Sequence, residues 1–334
     1  MLFSSLRALT GQITKAAALS LILLPAWASA SSSPAKVLVS IKPLELIASA
    51  ITDGVSQPEL LLPPGTSPHD YSLRPSDVRK LTNADLVFWV GEDLESFMTD
   101  LLDRHVDKNR SIPLMDVPGV EVKNLLTAEQ DEDEHAGHNH ANEHGHEHDH
   151  HGHNHGSHDP HIWLSPENAI AMARTMTQAL SEADKANAEK YQHNYLAFAD
   201  KVQATDQLNQ SVLKDAKKQG FFVFHDAWGY FTRHYGLTVL DTFTVSPEQA
   251  PGARHMVQLR NQLLEAGNTC IFREPQFKPS YLKTMTDKTD ASVDVLDPLA
   301  SDIKPGPDAY PQFMSELAVT IRDCLADAGQ KPAK

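Results

Sequence analysis

Beyond the first thirty residues, short apolar runs of strand length alternate with longer segments whose apolar residues recur every three or four positions. Those are the two periods that separate strands from amphipathic helices. Residues 37–41 predict a first strand. Pro43 then opens a helix at its first position, where the missing N–H costs no hydrogen bond, and the helix runs out near Gly54. Residues 59–62, 86–90 and 112–115 predict three more strands, with helices around Val78 and Leu81 and over 94–104 between them. Pro166 starts a helix that reaches about Leu180. Residues 184–217 follow as a long polar helical stretch free of Gly and Pro, with apolar positions at Ala188, Tyr191, Tyr195, Phe198 and Val202. Strands are predicted again at 221–224, 238–243, 270–273 and 292–296, helices fill the gaps, and 314–325 closes the chain as a helix. Alternation on both sides of one long helix predicts an α/β protein of two lobes with mainly parallel sheets joined by that helix. The boundaries fall at 31–183 for the N-terminal lobe, 184–217 for the linker helix and 218–334 for the C-terminal lobe.

The N-terminus breaks this pattern. Arg7 and Lys15 precede an apolar run over 16–27 that ends in Ala28-Ser29-Ala30, the layout of a secretory signal peptide over residues 1–30 with its cleavage site. The run is shorter than the roughly 20 residues a membrane-spanning helix needs. An exported, soluble mature chain is therefore expected, and without a cysteine near the cleavage point no lipid anchor is expected. The signal holds two basic residues and no acid, so its removal moves the net charge from −15 to −17. An acidic exported chain argues against nucleic acid as a partner. Cys270 and Cys324 are the only cysteines, and export places them in an oxidising compartment, which predicts a disulfide between them.

A second break carries chemistry. Eleven of the 18 histidines lie at His135, His138, His140, His144, His146, His148, His150, His151, His153, His155 and His158, among Asp, Glu, Asn and Gly. Between His135 and His158 no apolar residue is larger than Ala, so the segment cannot bury enough surface to offset the entropy of ordering. A disordered loop over about 128–158 is the expectation. Imidazoles and carboxylates bind borderline divalent metals, which marks the tract as metal-binding without naming the metal or its use; a secondary role of lower affinity, as a collector or sensor beside a tighter site, is the expectation.

A tight site must come from ordered positions. In open α/β sheets ligands bind beyond the carboxyl ends of strands. His225 directly follows the apolar run 221–224, Asp297 follows 292–296, and Glu274 follows 270–273. In the first half His69 lies on the Pro/Gly-rich loop after the 59–62 strand, and His161 stands in DPHIWLSP after the tract. Three imidazoles and one carboxylate suit four-coordinate zinc. Glu274 reads as a cleft-wall group or one that orients a ligand, and His105, His193, His234 and His255, within or beside predicted helices, read as surface residues.

The motifs GTSPHDYSLRPSD, DPHIWL and FHDAWGYF, in this order, resemble those of the zinc-binding periplasmic solute-binding proteins of ABC-type importers, over essentially the whole mature chain. The resemblance implies metal held in the cleft between two α/β lobes, with His69, His161 and His225 as ligands and Asp297 where many relatives supply a carboxylate. Manganese-binding relatives tend to carry Glu at the third position, so His225 points to Zn²⁺. One departure is Pro68, where some zinc-binding members carry a Glu; the fourth position then falls to Asp297 or to water. It implies a periplasmic, monomeric binding protein that delivers Zn²⁺ to a membrane permease and is not an enzyme. Two other readings remain at this stage. An exported zinc-dependent enzyme would need three ligands plus water, yet the chain has no H-E-x-x-H or G-x-S-x-G motif. A metal buffer would act mainly through the histidine-rich tract.

Overall fold

The apolar runs pair into two separate sheets in the computed structural model, which describes residues 33–125, 158–245, 247, 251–277 and 280–330. The first sheet holds β1 (Val37–Val39), β2 (Glu59–Leu60), β3 (Leu86–Trp89) and β4 (Ser111–Pro113), in the order β2-β1-β3-β4 with every neighbouring pair parallel. The second holds β5 (Gly220–His225), β6 (Thr238–Thr244), β7 (Cys270–Arg273) and β8 (Ser292–Val295), in the order β6-β5-β7-β8, again all parallel. Parallel sheets need helical crossovers that cover both faces, which is why β1 and β3 are apolar and buried at every residue instead of alternating. In each sheet the order reverses once, between β1 and β3 and between β5 and β7. Such switch points leave a crevice at the carboxyl ends of the strands.

Around the first sheet lie α1 (Lys42–Ile51), α2 (Pro75–Asn83), α3 (Glu92–His105) and α4 (Pro166–Ala183); α5 (Ala188–Val212) follows, and α6 (Gly229–Tyr235), α7 (Ala253–Ala266), α8 (Leu282–Thr286) and α9 (Ala309–Gln330) belong to the second half. The Ser165 hydroxyl caps α4 by accepting from the Asn168 amide at 3.2 Å, and Pro166 takes the first helical position. The long helix starts later than its polar pattern predicts. Asp184 turns its carboxylate onto Asn187 Nδ2 (2.7 Å) and Tyr191 Oη (2.9 Å), and a 3₁₀ turn over Lys185–Asn187 intervenes. From there α5 is tied to both halves. Asn194 Nδ2 donates to the carbonyls of Ile51 and Asp53 at 2.8 and 2.9 Å, and Asn209 Nδ2 donates to that of Met314 at 3.1 Å.

The core follows from these placements. One apolar cluster runs from β1 and β3 through Met172, Met176, Tyr191 and Phe198 into Phe221, Val223, Tyr310 and Ile321. The other face of β5 contributes Phe222 and Phe224 to a second cluster with Phe243, Leu259 and Ile271, the period-two alternation of a strand covered on both sides. A disulfide joins Cys270, at the start of β7, to Cys324 in α9. Other predicted ends shift as well: β1 and β2 stop two residues short of their apolar runs, the long helix ends at Val212 and not at 217, Leu114–Asp116 leaves the fourth strand as a 3₁₀ turn after Pro113, and α9 begins at Ala309, with Pro311 tolerated in its first turn. Among the described residues no helix is long and apolar enough to cross a membrane.

Candidate metal centre

His225 ends β5 and Glu274 follows β7, so the second switch point aims both side chains into one crevice. The apolar run Phe221–Phe224 buries the strand, and with it an imidazole that is 2 % exposed. His161 enters from the other side. It stands just before the 3₁₀ turn Ile162–Leu164 and is likewise 2 % exposed. His69, partly buried, comes from the loop after β2, where its amide donates to Ser67 Oγ at 3.3 Å. The three rings surround one point, with centroids 5.4, 5.4 and 5.1 Å apart, and one nitrogen from each lies within 4.8 Å of the others.

Carboxylates behind two of the rings set their direction. His161 Nδ1 bonds Asp159 Oδ1 at 2.7 Å, and the same oxygen accepts the His161 amide at 3.0 Å. His225 Nδ1 bonds Glu274 Oε1. Asp159 and Glu274 are both buried. A carboxylate holding the proton on Nδ1 leaves the Nε2 lone pair free, the arrangement found behind metal-bound histidines. The two Nε2 atoms face each other at 3.2 Å. Tetrahedral zinc with Zn–N bonds of about 2.0–2.1 Å requires ligand nitrogens about 3.3 Å apart, so the pair fits zinc without rearrangement. Burial, then the neighbouring imidazoles of His161 and His225, holds His69 well below the usual histidine range; burial, then His225, does the same for His161. Neutral imidazoles are what a metal needs. Trp163, Phe277, Pro298 and Leu299 wall the crevice with apolar surface.

Asp297 stands outside the group. Its Oδ1 accepts from Gln276 Nε2 at 2.8 Å and from the Leu299 amide at 3.0 Å, while Oδ2 accepts the Ser301 amide at 2.7 Å. The Asp-Pro turn uses both oxygens to fold the loop that carries Pro298 and Leu299 into the wall. Of the tract, His135 through His155 lie outside the described residues; His158 faces Asp93 Oδ2 at 3.4 Å and pairs its backbone with Asn124. His105 and His193 are exposed as expected. His234 is not a free surface residue: it bridges Asp206 Oδ1 (2.7 Å) and Glu167 Oε1 (3.2 Å), and His255 Nε2 bonds the Thr242 carbonyl at 2.7 Å. Asp159 went unread in the sequence. Its position two residues before His161 was the available signal, and Asp before Pro reads first as a turn residue.

Known proteins resemble this chain over most of its length. The family model described as zinc-uptake complex component A, periplasmic, matches residues 37–324. The high-affinity zinc uptake system protein ZnuA of Yersinia pestis is 40 % identical over 291 residues, covering 87 % of this chain and 91 % of that protein. The protein of the same name from Haemophilus ducreyi is 42 % identical over 293 residues, covering 87 % and 93 %. Among solved structures, a zinc-bound ZnuA with residues 138–173 deleted superposes with a TM-score of 0.68 at 24 % identity, covering 87 % of this chain and 98 % of that one. The periplasmic zinc-binding protein TroA of Treponema pallidum gives 0.71 at 19 %, covering 87 % and 99 %; at these identities the likeness speaks to the fold.

Proposed function

This chain belongs to the family of periplasmic zinc-uptake complex component A, and from that premise we propose that it captures Zn²⁺ through His69, His161 and His225 and hands the ion to the membrane permease of an ABC-type importer. The ion is cargo, so the site needs affinity and an exit, and no reaction at the metal. The observation that carries the reading is the facing pair of Nε2 atoms at 3.2 Å, each ring backed by a buried carboxylate, with a third imidazole completing the ring of donors. Three neutral imidazoles leave one tetrahedral position. We assign it to water, because the Asp297 oxygens hold their own turn. The partly buried His69 and the buried His161 are already deprotonated near neutral pH, so binding releases few protons there and weakens as acid protonates the ligands. A periplasmic location accords with the family and with the N-terminal signal pattern.

The test is a competition titration of the apoprotein against a zinc chelator. Wild type is expected to show one tight site that is lost in His69→Ala, His161→Ala and His225→Ala. Asp297→Asn, which keeps an acceptor for the turn, is expected to bind within about threefold of wild type, less than the 10-fold or more lost even with an outer-shell partner. Tight binding that survives all three alanine substitutions together would overturn the assignment.

A further inference from the structure

Helix α6 starts four residues after His225 and grips the segment that carries His161. Tyr230 Oη accepts the Lys123 amide at 2.9 Å and donates to the Asp159 carbonyl at 3.0 Å. Arg233 Nη2 donates to the Asn124 carbonyl at 2.9 Å. The Asp159 amide closes the group by donating to the Lys123 carbonyl at 2.7 Å. Gly229 contributes by what it lacks. A Cβ there would lie 2.6 Å from Asp159 Oδ2 and 2.7 Å from Arg233 Nη1, closer than real Cβ atoms approach anything. Its backbone does not need a glycine, since its φ is not positive. The requirement is space for a carboxylate. Asp159 is fully buried and its other oxygen is bonded to both His161 Nδ1 and the His161 amide, so the carboxylate cannot retreat without releasing the ring.

We propose that Gly229, Tyr230 and Arg233 are positioning residues for zinc capture: they seat Asp159 and, through it, fix the tautomer and direction of the His161 imidazole before the ion arrives. The proposal rests on the reading of His161 as a ligand and extends it to residues that never touch the metal. Its consequence is that protein contacts alone hold the His161 and His225 pair ready, because the helix that follows one ligand clamps the carboxylate behind the other.

The test uses the full chain with Gly229→Ala, Tyr230→Phe, Asp159→Ala and the double variant Gly229→Ala/Asp159→Ala. Nitrogen-15 spectra of histidine-labelled apoprotein read the His161 tautomer, zinc competition reads affinity, and Co²⁺ absorption reads the ligand geometry. Wild type is expected to keep the proton on Nδ1, while Asp159→Ala and Gly229→Ala shift it and each lower zinc affinity roughly 10–100-fold, the usual effect of losing a partner behind a metal ligand. Tyr230→Phe should move all readouts the same way by a smaller factor. In the Asp159→Ala background the glycine substitution should cost no more than about threefold further, since the carboxylate is gone and the one close neighbour left, Arg233 Nη1, is the end of a flexible side chain that can swing into the vacated space. A wild-type tautomer and affinity in Gly229→Ala, or an equal loss in both backgrounds, would overturn the proposal. Should Gly229→Ala not fold, Tyr230→Phe, which adds no atom, decides it through the tautomer, and an unchanged spectrum counts against it. A wild-type chain without a tight zinc site would sink the ligand reading instead, and the apoprotein spectra would still judge the clamp.

Discussion

At the scale of single residues, the chain buries ionisable groups in opposite senses. His69 and His161 are held neutral, whereas Glu95 at the turn from β3 into α3 is held protonated. Burial drives the Glu95 carboxyl up to about 7 from 4.5, against the opposing pull of the Gly91 and Val90 amides that donate to Oε2 at 3.1 and 2.8 Å. Between those two values the native state keeps a proton that the unfolded chain has released. The contribution to stability is therefore full below 4.5 and is lost as pH rises through about 7. The loss amounts to something on the order of 3 kcal/mol by pH 8. The histidines run the other way: the unfolded chain takes up protons below about 6.5 that the native state refuses, so they destabilise the apoprotein on acidification. Glu95→Gln keeps an acceptor for both amides and removes the charge. Denaturant unfolding of the two apoproteins from pH 5 to 8 should show the variant gaining on wild type as pH rises, and parallel curves would refute the assignment. The same scale explains what the sequence could and could not disclose. His225 is legible because a strand end followed by histidine is a local pattern, whereas His69, on the loop nine residues past β2, stands out only through the Pro/Gly-rich motif around it. Asp159 and Asp297 are not legible, because each precedes Pro in a turn and only the folded loop decides that one carboxylate faces an imidazole while the other closes on its own backbone.

Among the elements, strands were more legible than helix ends, for a physical reason. A strand buried on both faces must be apolar throughout, so residues 86–89 mark β3 directly. A helix end is set by side-chain competition, such as Asp184 drawing Asn187 and Tyr191 and delaying α5 to Ala188, which no periodicity reveals. The disulfide between β7 and α9 closes a separation of 54 residues, for which the loop-entropy model gives about 4 kcal/mol as an upper figure. It sits at the beginning of β7, whereas Glu274 follows the end of that strand. Stability and binding should separate accordingly. Cys270→Ser/Cys324→Ser is expected to unfold at lower denaturant, by up to about 4 kcal/mol, while its zinc affinity at room temperature stays near that of wild type. A comparable loss of zinc affinity in the folded variant would mean that the bridge also holds Glu274 behind His225.

For the whole molecule, the centre depends on contacts that cross between the sheets. Trp163 Nε1 donates to the Pro298 carbonyl at 2.7 Å, Tyr310 Oη donates to that of Trp163 at 2.8 Å, and Asn194 and Asn209 anchor α5 at either end. The tract leaves and rejoins this frame at one place, where Asn124 pairs with His158 and the Asp159 amide reaches the Lys123 carbonyl at 2.7 Å. Chain ends already paired in antiparallel fashion can be joined by a two-residue turn such as Asn-Gly. Replacing residues 125–157 by that turn removes ten of the eleven clustered histidines and leaves His161, Asp159 and the α6 clamp in place. Calorimetric titration of the shortened apoprotein with Zn²⁺ is therefore expected to retain one tight site of wild-type affinity and to lose only weaker, additional binding. A buffer acting through the tract predicts the reverse, with most bound zinc lost and no tight site remaining, because the donors would have gone with the deleted residues.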